Sequence, residues 1–298
     1  MRTAGPFQAR VRADRDFEFT SADFERVRKL IHAHAGIALA INKEQMVYSR
    51  LVRRLRATGS QSFGSYLSKL EDHVDQAEWE HFTNALTTNL TSFFREAHHF
   101  TMLVEHVKSL HRARPLRIWS CAASTGEEPY SIAIALAQAF GTLSPPIEIL
   151  ATDLDTCVLA TAKLGVYEEE RVSKLPDELV RSFFLRGSGV HAGKVRIRRE
   201  LVSLVRFKPL NLLTDEWLVI KPFDAIFCRN VMIYFDKPTQ YGVLTKLARV
   251  LEPDGLLFAG HSESLFFASD LFRLRGHTVY ERAGAGQSGV SRRAASCL

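Results

Sequence analysis

The amino-acid sequence predicts an α/β protein in which an all-helical N-terminal domain precedes a parallel sheet wrapped by helices. Three observations carry this prediction. From about residue 17 to residue 100, apolar residues recur at spacings of three and four, the period of amphipathic helices. After Pro115, short apolar or β-branched runs alternate with helical segments, which is typical of a parallel sheet. The first of these runs leads through the turn "SCAASTGEEPY" into a helix.

The individual elements follow from local signals. In the N-terminal domain, Ser, Thr or Asp residues start the helices, and Gly36 and Gly59 stop two of them. In the second part, we predict strands at "LRIWSCAA", "IEILATD", "LVRFKPL", "FDAIFCRN" and "LLFAGH", with helices over 129–140, 156–164 and 237–251. The final "FRLRGHTVYER" holds two short runs about a glycine and predicts an antiparallel hairpin at a sheet edge.

Composition is that of an ordinary globular protein. The chain has 298 residues, of which 46% are hydrophobic and 24% charged. Its four cysteines are widely spaced without a C-x-x-C pair, which argues against a disulfide framework or a zinc knuckle. The N-terminus is broken by charges and no apolar run is long enough to span a bilayer, so we expect a cytoplasmic protein. Residues 1–16 and 283–298 are expected to be mobile tails.

The net charge of +6 is concentrated in two windows. Five Lys or Arg residues lie between Lys43 and Arg56, and eight lie between Arg181 and Lys208, each window holding a single acid. A diffuse basic coat would suggest nucleic acid. Two separate patches favour docking to acidic partners instead.

The turn after the first predicted strand is where a ligand is expected, because open parallel sheets bind ligands beyond the carboxyl ends of their strands. That turn contains only one glycine, Gly126, and Glu127 and Glu128 open the following helix. Two acids there would repel a pyrophosphate, which disfavours NAD, FAD and ATP. Acids at a helix start also simply favour the helix dipole. The functional alternative is a ligand with a cationic or hydrogen-bond-donating headgroup.

The second predicted strand ends in "LATDLD", which puts Asp153 or Asp155 at its carboxyl tip. A carboxylate in that place can accept both hydroxyls of a ribose. Asp155 precedes a threonine and a helical run and is a natural N-cap, so Asp153 is the better ribose candidate. Together with the helix, turn and strand around "LEPDGLLFAG", the pattern fits an adenosyl ligand without phosphate, namely S-adenosylmethionine.

Four stretches closely resemble the chemotaxis-receptor glutamate O-methyltransferases of the CheR type: "NLTSFFREAHHF", "WSCAASTGEEPYSIAI", "FDAIFCRNVMIYFD" and "DGLLFAGHSES". The resemblance runs from about Phe17 to Arg282 in motif order. It implies a helical N-terminal domain with a linker over 17–100, and a Rossmann-like SAM-dependent methyltransferase domain over 113–282. That domain would carry a small antiparallel β-subdomain at about 183–208. Cys121 stands where the family has a small residue such as Ala.

The resemblance also implies an activity. The enzyme would transfer a methyl group from S-adenosylmethionine to the γ-carboxylate of receptor glutamates, giving methyl esters for sensory adaptation and S-adenosylhomocysteine as product. An unperturbed glutamate side chain has a pKa of about 4.3, so the attacking group is already an anion at neutral pH. This chemistry needs positioning more than a general base, in keeping with the absence of an obvious His/Asp or Cys/His pair.

Particular residues acquire roles from the resemblance. A cofactor site would be formed by Asn89, Thr91, Arg95, Ala122, Glu128, Asp153, Asn211, Leu212, Arg229 and Asn230. Catalytic roles would fall to Arg95, which can bind a carboxylate, and to Tyr234, which can orient an oxygen near the reacting methyl. The structural alternatives are a surface ion pair of Arg95 with Glu96 or Glu105, and a half-buried core position for Tyr234.

Two basic segments are candidates for receptor docking. In "VYSRLVRRLR" the apolar side of a helix holds Tyr48, Leu51, Val52 and Leu55, and the other side holds Arg50, Arg53, Arg54 and Arg56. Those arginines form either a solvated face or a surface for acidic receptor helices, and the resemblance favours docking. In "GKVRIRRE" the basic residues Lys194, Arg196 and Arg198 alternate with Val195 and Ile197. A strand of this kind near a sheet edge could pair with a receptor tail peptide.

The expected partners are thus the cytoplasmic domains of methyl-accepting chemotaxis receptors, with no nucleic acid, no membrane insertion and a monomer favoured. A nucleic-acid methyltransferase usually shows an Asn/Asp-Pro-Pro-aromatic stretch where this chain has "RNVMIYF". A non-catalytic, cofactor-binding receptor adaptor is disfavoured because Arg95, Asp153 and Tyr234 are all present. Adjacent His98 and His99 point about 100° apart on a helix, and no carboxylate or cysteine completes a set, so we expect no metal.

Overall fold

The computed structural model describes residues 16–72, 75–215, 217 and 222–284. The chain divides into two compact units, with the boundary between Thr88 and Asn89. Residues 89–100, which the sequence pattern grouped with the helical domain as a linker, fall in the second unit. The two tails expected to be mobile lie outside the described residues, apart from Asp16, Ala283 and Gly284.

Within its described residues, 16–72 and 75–88, the first unit has the helices α1 (Ser21–Ala35), α2 (Glu44–Thr58), α3 (Phe63–Glu71) and α4 (Gln76–Leu86). Thr20 begins α1 with a capping box, in which its hydroxyl accepts the N–H of Asp23 and the Asp23 carboxylate accepts the N–H of Thr20. Gly36 and Gly59 end α1 and α2 in the left-handed conformation, which confirms both predicted stops.

The apolar faces of these helices form the core of the first unit. The face of α2 predicted to be apolar is confirmed, since Tyr48, Leu51, Val52 and Leu55 are all buried. Aromatic residues of α3 and α4 complete this core, and the indole N–H of Trp79 donates to Leu70 O at 2.8 Å. The opposite face of α2 is therefore left for its arginines.

The second unit contains the α/β fold. Its elements are α5 (His98–Ser109), β1 (Leu116–Ser120), α6 (Glu127–Phe140), β2 (Ile147–Asp153), α7 (Thr156–Leu164), β3 (Val166–Glu168), α8 (Asp177–Phe183), β4 (Phe184–Arg186), β5 (Lys194–Ile197), α9 (Arg199–Ser203), β6 (Val205–Pro209), β7 (Phe223–Cys228), α10 (Lys237–Val250), β8 (Leu251–Ala259), β9 (Phe272–Gly276) and β10 (Val279–Arg282). No helix in the described part of the chain is long and apolar enough to cross a bilayer.

A seven-stranded sheet has the order β6-β2-β1-β7-β8-β10-β9. The strands from β6 to β8 are parallel, whereas β10 runs antiparallel to both β8 and β9, so the predicted edge hairpin is confirmed. All six residues of β7 are buried, as expected for a parallel strand covered on both faces. The chain proceeds from β1 to β2 on one side and later returns to β7 on the other. The switch in strand order therefore lies between β1 and β7, the usual place for a ligand.

A second, three-stranded antiparallel sheet has the order β3-β5-β4. It runs from Val166 to Ile197, so it begins earlier than the expected 183–208, and β6 belongs to the large sheet instead. Strand β5 carries Lys194 and Arg196 and is paired on both sides. The expectation that this strand offers an open edge is corrected, because its alternating pattern reports which side chains face solvent and not which strands flank it. Among the described strands, β3 and β4 form the edges of this sheet.

Asp224, near the start of β7, is fully buried and ties the loop before β1 to the sheet. Its carboxylate accepts from Arg114 Nη1 at 2.7 Å, from Arg112 Nε at 3.0 Å and from the backbone N–H of Arg117 at 2.8 Å. Burial alone would raise the pKa of Asp224, but the Arg114, Arg117 and Arg112 hydrogen bonds outweigh it and hold the pKa below its usual value.

We expect Asp224→Asn to lower the free energy of unfolding by about 2–4 kcal/mol at pH 7, because the new amide would face three donors in a buried place. Asp254, which is more than half exposed and pairs with Arg112, provides the control. Asp254→Asn should cost at most about 1 kcal/mol. Urea unfolding measures both, and equal costs would contradict the central role of Asp224. Because a depressed carboxyl pKa stabilises only above the unfolded pKa, the difference from wild type should shrink below about pH 4.

Candidate active site

The carboxyl ends of the parallel strands bring most of the predicted site residues to one edge of the sheet. The register aligns Ser120 of β1 with Ala151 of β2 and with Phe227 of β7. Asp153 lies opposite Pro209 of β6. Asp153 ends β2, and the segments that follow the strands contain Ala122, Asn211, Leu212, Arg229, Asn230 and Tyr234. Polar groups from several loops therefore meet beyond this edge.

The single glycine of the first turn is required by packing within the turn. Gly126 has φ 98°, and a Cβ there would lie 2.8 Å from the Tyr167 hydroxyl and 2.9 Å from Ala162 Cβ. The Tyr167 hydroxyl, from β3, donates to Thr125 O at 2.8 Å. The glycine thus lets a tyrosine and a helix approach the turn, and it does not make a cradle for phosphate.

Asp153 is nearly buried at the tip of β2, with both oxygens facing backbone donors. Oδ2 accepts from Ser124 N at 2.8 Å, and Oδ1 accepts from Asp155 N at 2.9 Å. Burial raises the pKa of Asp153, and these N–H bonds oppose the shift. The Leu154 N–H is a third donor to this carboxylate, which can accept about four, so it keeps capacity for a ribose hydroxyl. Asp155 accepts from the N–H groups of Cys157 and Val158, which confirms its predicted role as the N-cap of α7.

The segment that enters the second unit is fixed to both of these loops. Asn89 Nδ2 donates to Asp155 Oδ2 at 2.7 Å, and Asn89 O accepts from Ser124 Oγ at 3.2 Å. Thr91 and Ala122 are both partly exposed. Asn89 therefore links the first turn to the tip of β2, with Thr91 close to it in sequence.

A buried arginine connects three parts of the site. Arg229 is only 5% exposed, and its Nη1 donates to Glu128 Oε2 at 2.9 Å. Its Nη2 lies 3.2 Å from Glu96 Oε2 and donates to Arg95 O at 2.5 Å. Ser120 Oγ donates to the other oxygen of Glu128 at 2.7 Å. Glu128 and Arg229, both predicted to line the cofactor site, therefore neutralise each other.

The second acid of the turn is also used internally. Glu127 is fully buried, forms an ion pair with Arg171, and accepts from Thr125 Oγ1 at 2.6 Å. Neither glutamate of the turn thus needs a ligand cation for its charge to be compensated. Their structural effect is to order the turn, and a phosphate would still meet two carboxylates there.

Glu96 was missed as a site residue, since the sequence suggested it only as a partner for Arg95. Its carboxylate instead meets Arg229 and accepts from His261 N at 3.1 Å. Phe94 and Glu96 both have positive φ, at 53° and 57°, so Arg95 lies between two left-handed residues. Arg95 Nη1 donates to Leu90 O at 2.9 Å, and the ion pairs of the described residues join it to neither Glu96 nor Glu105. The sequence carries no signal for this unusual backbone.

The remaining predicted residues lie in the segments that follow the flanking strands β6 and β7. Asn211 Oδ1 accepts from Leu213 N at 2.9 Å, and Leu212 is buried one residue along. Leu210 N donates to Asp153 O at 3.0 Å, so this loop lies beside the tip of β2. On the other side, Tyr234 is partly buried against the apolar core below β7 and β8.

Two family models match the chain. Residues 89–280 match the CheR methyltransferase, SAM binding domain, and residues 22–87 match the CheR methyltransferase, all-alpha domain. The chain belongs to the CheR methyltransferase family. Its cofactor is accordingly S-adenosylmethionine, and the residues at the carboxyl edge fit an adenosyl group as described above.

Relatives from several bacteria agree with this family. The chemotaxis protein methyltransferase of Klebsiella aerogenes is 54% identical over 88% of this chain and 89% of its own length. The protein of the same name from Escherichia coli is 52% identical over 88% of this chain and 91% of its own length. Chemotaxis protein methyltransferase 2 of Pseudomonas aeruginosa is 52% identical over 91% of this chain and 96% of its own length.

In this CheR-family chain, the basic face of α2 divides into two kinds of arginine. Arg50 Nη1 donates to Thr87 O at 2.6 Å and to Leu86 O at 3.1 Å, so it caps the end of α4. Arg54 Nε donates to Glu78 Oε1 at 3.1 Å, and Tyr66 donates to the same carboxylate. These two guanidiniums are engaged within the helical unit and are not available as a free basic face.

The other two arginines of α2 are the exposed ones. Arg53 is exposed, and Arg56 is 60% exposed although it pairs with Asp16. In the small sheet, Arg196 is exposed, while Lys194 lies 3.6 Å from Glu168. Arg198 Nε donates to Ser182 O at 2.6 Å near the end of α8. Local pairing therefore engages several of the predicted docking residues, while Arg53, Arg56 and Arg196 keep exposed side chains.

A cavity of about 540 Å³ lies at the opposite edge of the large sheet. Its lining includes Val107, Leu116, Phe140 and Pro146, which surround the amino ends of β1 and β2. The methyltransferase site of the CheR family is expected at the carboxyl edge. This cavity is thus separate from the candidate active site.

His99, a buried histidine close to Arg229, should make the stability of the protein depend on pH. The ring is fully buried, and its Nε2 lies 3.0 Å from His277 O. Burial and, secondarily, the Arg229 charge lower the pKa of His99 to about 4. An unfolded histidine titrates near 6.5, so the unfolded state binds more protons between these values, and stability should fall as pH falls through that window.

We expect His99 to make the free energy of unfolding about 2 kcal/mol lower at pH 5 than at pH 7. His99→Gln should remove most of that pH dependence. His98→Gln is the matched control, because His98 is the exposed neighbour on the same helix. Urea unfolding at both pH values gives the slopes. Parallel slopes for wild type and His99→Gln would show that His99 is not a buried neutral histidine.

Proposed function

We propose that this enzyme transfers the methyl group of S-adenosylmethionine to glutamate γ-carboxylates in the cytoplasmic domains of chemotaxis receptors, forming methyl esters. One observation carries the proposal at the level of the site. Asp153 presents a carboxylate with remaining acceptor capacity at the tip of β2, beside a turn that has acids and no glycine cradle for phosphate. This combination favours an adenosyl group over a dinucleotide or ATP.

The proposed cofactor site assigns the ribose to Asp153 and the adenine to the loop of Asn211 and Leu212. Asn89, Thr91, Ala122 and Asn230 line the remainder, together with Arg95. Glu128 and Arg229 act as a pair that fixes the wall of the site, because each uses its charge on the other. When bound, the cofactor supplies an electrophilic methyl group on a sulfonium.

The protein's own contribution is to bind and orient a carboxylate that is already ionised. Four of the five N–H donors of Arg95 remain after its bond to Leu90 O, enough for a charge-assisted contact with a carboxylate. The Tyr234 hydroxyl has no hydrogen-bond partner within the described part of the chain and can donate to an acceptor oxygen. Both groups would hold the attacking oxygen in line and reduce its contact with water.

We expect purified enzyme, labelled S-adenosylmethionine and receptor-containing membranes to give protein-bound label that base releases, since methyl esters hydrolyse and N-methyl groups do not. Arg95→Ala should slow transfer at least about 100-fold, because it removes a charged contact from the reacting carboxylate. Tyr234→Phe should slow it about tenfold, since one neutral hydrogen bond is lost.

Calorimetry with S-adenosylhomocysteine shows whether these variants still bind the product. Base-stable label would contradict the ester. Cofactor binding by wild type without any receptor labelling would favour a non-catalytic adaptor. Wild-type turnover by Arg95→Ala would remove this arginine from the proposed chemistry.

For receptor docking, we propose the exposed part of the basic face of α2. Arg53 and Arg56 face solvent, whereas Arg50 and Arg54 hold α4 and Glu78. Acidic receptor helices would be attracted to the exposed pair, and the interaction would be screened over about 8 Å at physiological salt.

Arg53→Ala should therefore slow receptor methylation several-fold at low salt and reduce its salt dependence, with cofactor affinity and stability unchanged. Arg54→Ala is the informative comparison on the same helix. It should lower stability by about 1–3 kcal/mol by leaving Glu78 without its guanidinium. If Arg53→Ala methylates receptor with the wild-type rate and salt slope, α2 does not dock the substrate through this residue.

A receptor tail peptide, if one is used, would add to an edge of the small sheet. Strand β4 ends in Leu185, which is 48% exposed, and Arg186. An extended peptide could pair with this backbone and place acidic side chains near the exposed Arg196 of β5. We further propose a monomeric, cytoplasmic enzyme, in keeping with receptor domains as its substrate.

A further inference from the structure

The loop after β8 contains a buried carboxylate whose partners are backbone N–H groups. Glu263 is 4% exposed. Its oxygens accept from Gly260 N at 2.5 Å, from Asn230 N at 2.8 Å and from Met232 N at 2.8 Å. The N–H of Ile233 is a fourth donor to the same group. One side chain therefore collects donors from two loops at the carboxyl edge of the sheet.

This arrangement resembles that of Asp153, and it differs from that of the buried acids that form ion pairs. Asp224 and Glu128 each meet an arginine, whereas the ion pairs of the described residues include none for Glu263. A buried carboxylate without a counter-ion is costly unless hydrogen bonds replace its hydration. Here that stabilisation comes largely from the backbone of residues 230–233. The charge is consequently tied to the shape of that loop.

The loop it holds has an unusual backbone. Asn230 has φ 58°, in the left-handed region, which asparagine adopts more readily than most residues other than glycine. A single helical turn, Met232–Tyr234, follows at once. At the end of β8, a Cβ on Gly260 would lie 2.5 Å from Asn230 Nδ2 and 2.8 Å from Glu263 Oε2. The glycine, the carboxylate and the loop of residues 230–233 thus fit one another closely.

We propose that Glu263 is a positioning residue for methyl transfer, whose carboxylate holds the backbone of residues 230–233 and thereby places the Tyr234 hydroxyl against the reacting carboxylate. The inference rests on the proposed role of Tyr234. Glu263 does not touch substrate or cofactor in this scheme. It acts one or more residues away, through the N–H groups of Asn230, Met232 and Ile233.

The test uses Glu263→Gln in the full-length enzyme. Glutamine keeps the shape but turns one oxygen into an NH₂ group that faces N–H donors. We expect kcat to fall up to about tenfold, the loss expected for Tyr234→Phe, while KM for S-adenosylmethionine and the affinity for S-adenosylhomocysteine change less than about threefold. Hydrogen exchange at the amides of 230–233 should accelerate at least about tenfold as the hold on the loop is lost.

Glu281→Gln is the matched control. It removes a glutamate that pairs with Arg273 on the β9–β10 hairpin, and it should leave kcat and the exchange of 230–233 unchanged. Glu263→Asp keeps the charge on a shorter side chain and should give intermediate kcat and exchange. If the glutamine variant does not fold, kcat and hydrogen exchange at residues 230–233 are measured on the aspartate variant instead.

Three results would overturn the proposal. One is wild-type exchange at 230–233 in the glutamine variant. The second is accelerated exchange with kcat within about twofold of wild type, which makes Glu263 structural only. The third is a large rise in KM with kcat unchanged, which would give it a binding role. If wild type itself fails to methylate receptor, the proposed function is wrong, and the exchange data still decide whether Glu263 holds the loop.

Discussion

The guanidinium of Arg229 is the contact on which the rest of the site depends. It is buried between Glu96 and Glu128 and donates to the carbonyl of Arg95. Unpaired charge in a low-dielectric interior is costly, so these groups restrict one another's positions strongly. Through them, the segment that enters the second unit, the helix after the first turn and the end of β7 are held in one arrangement.

Most acidic side chains at the carboxyl edge of the sheet have structural partners and take no direct part in the proposed reaction. Glu127 and Glu128 are compensated by Arg171 and Arg229, and Glu263 is held by backbone donors. In the proposed reaction the glutamate arrives ionised, so the enzyme would need no base and would gain most from fixed geometry. A site of this kind contains many charges yet presents few to the ligand. Asp153 and Arg95 are the groups with bonding capacity left over.

Much of the fold could be predicted from the sequence, because periodicity and capping are local. The helix stops at Gly36 and Gly59, the cap at Asp155 and the edge hairpin all follow from residues within a few positions of one another. Partners far apart in sequence could not be predicted. A helical wheel places Arg50 on the solvent side, but only the tertiary structure shows that it caps a helix 37 residues away. In the same way, the alternation of side chains in β5 could not predict that β5 is the central strand of the small sheet.

The contact between Tyr167 and the first turn has a consequence for how this domain can be remodelled. The small sheet is inserted between α7 and α9, and an insert of this kind would ordinarily be exchangeable for a short loop. Here its first strand supplies the hydroxyl that holds Thr125 O and fills the space that Gly126 leaves open. A chimaera that trades this sheet for another family's connection would lose a wall of the turn along with it. The inserted sheet and the catalytic scaffold therefore have to change together.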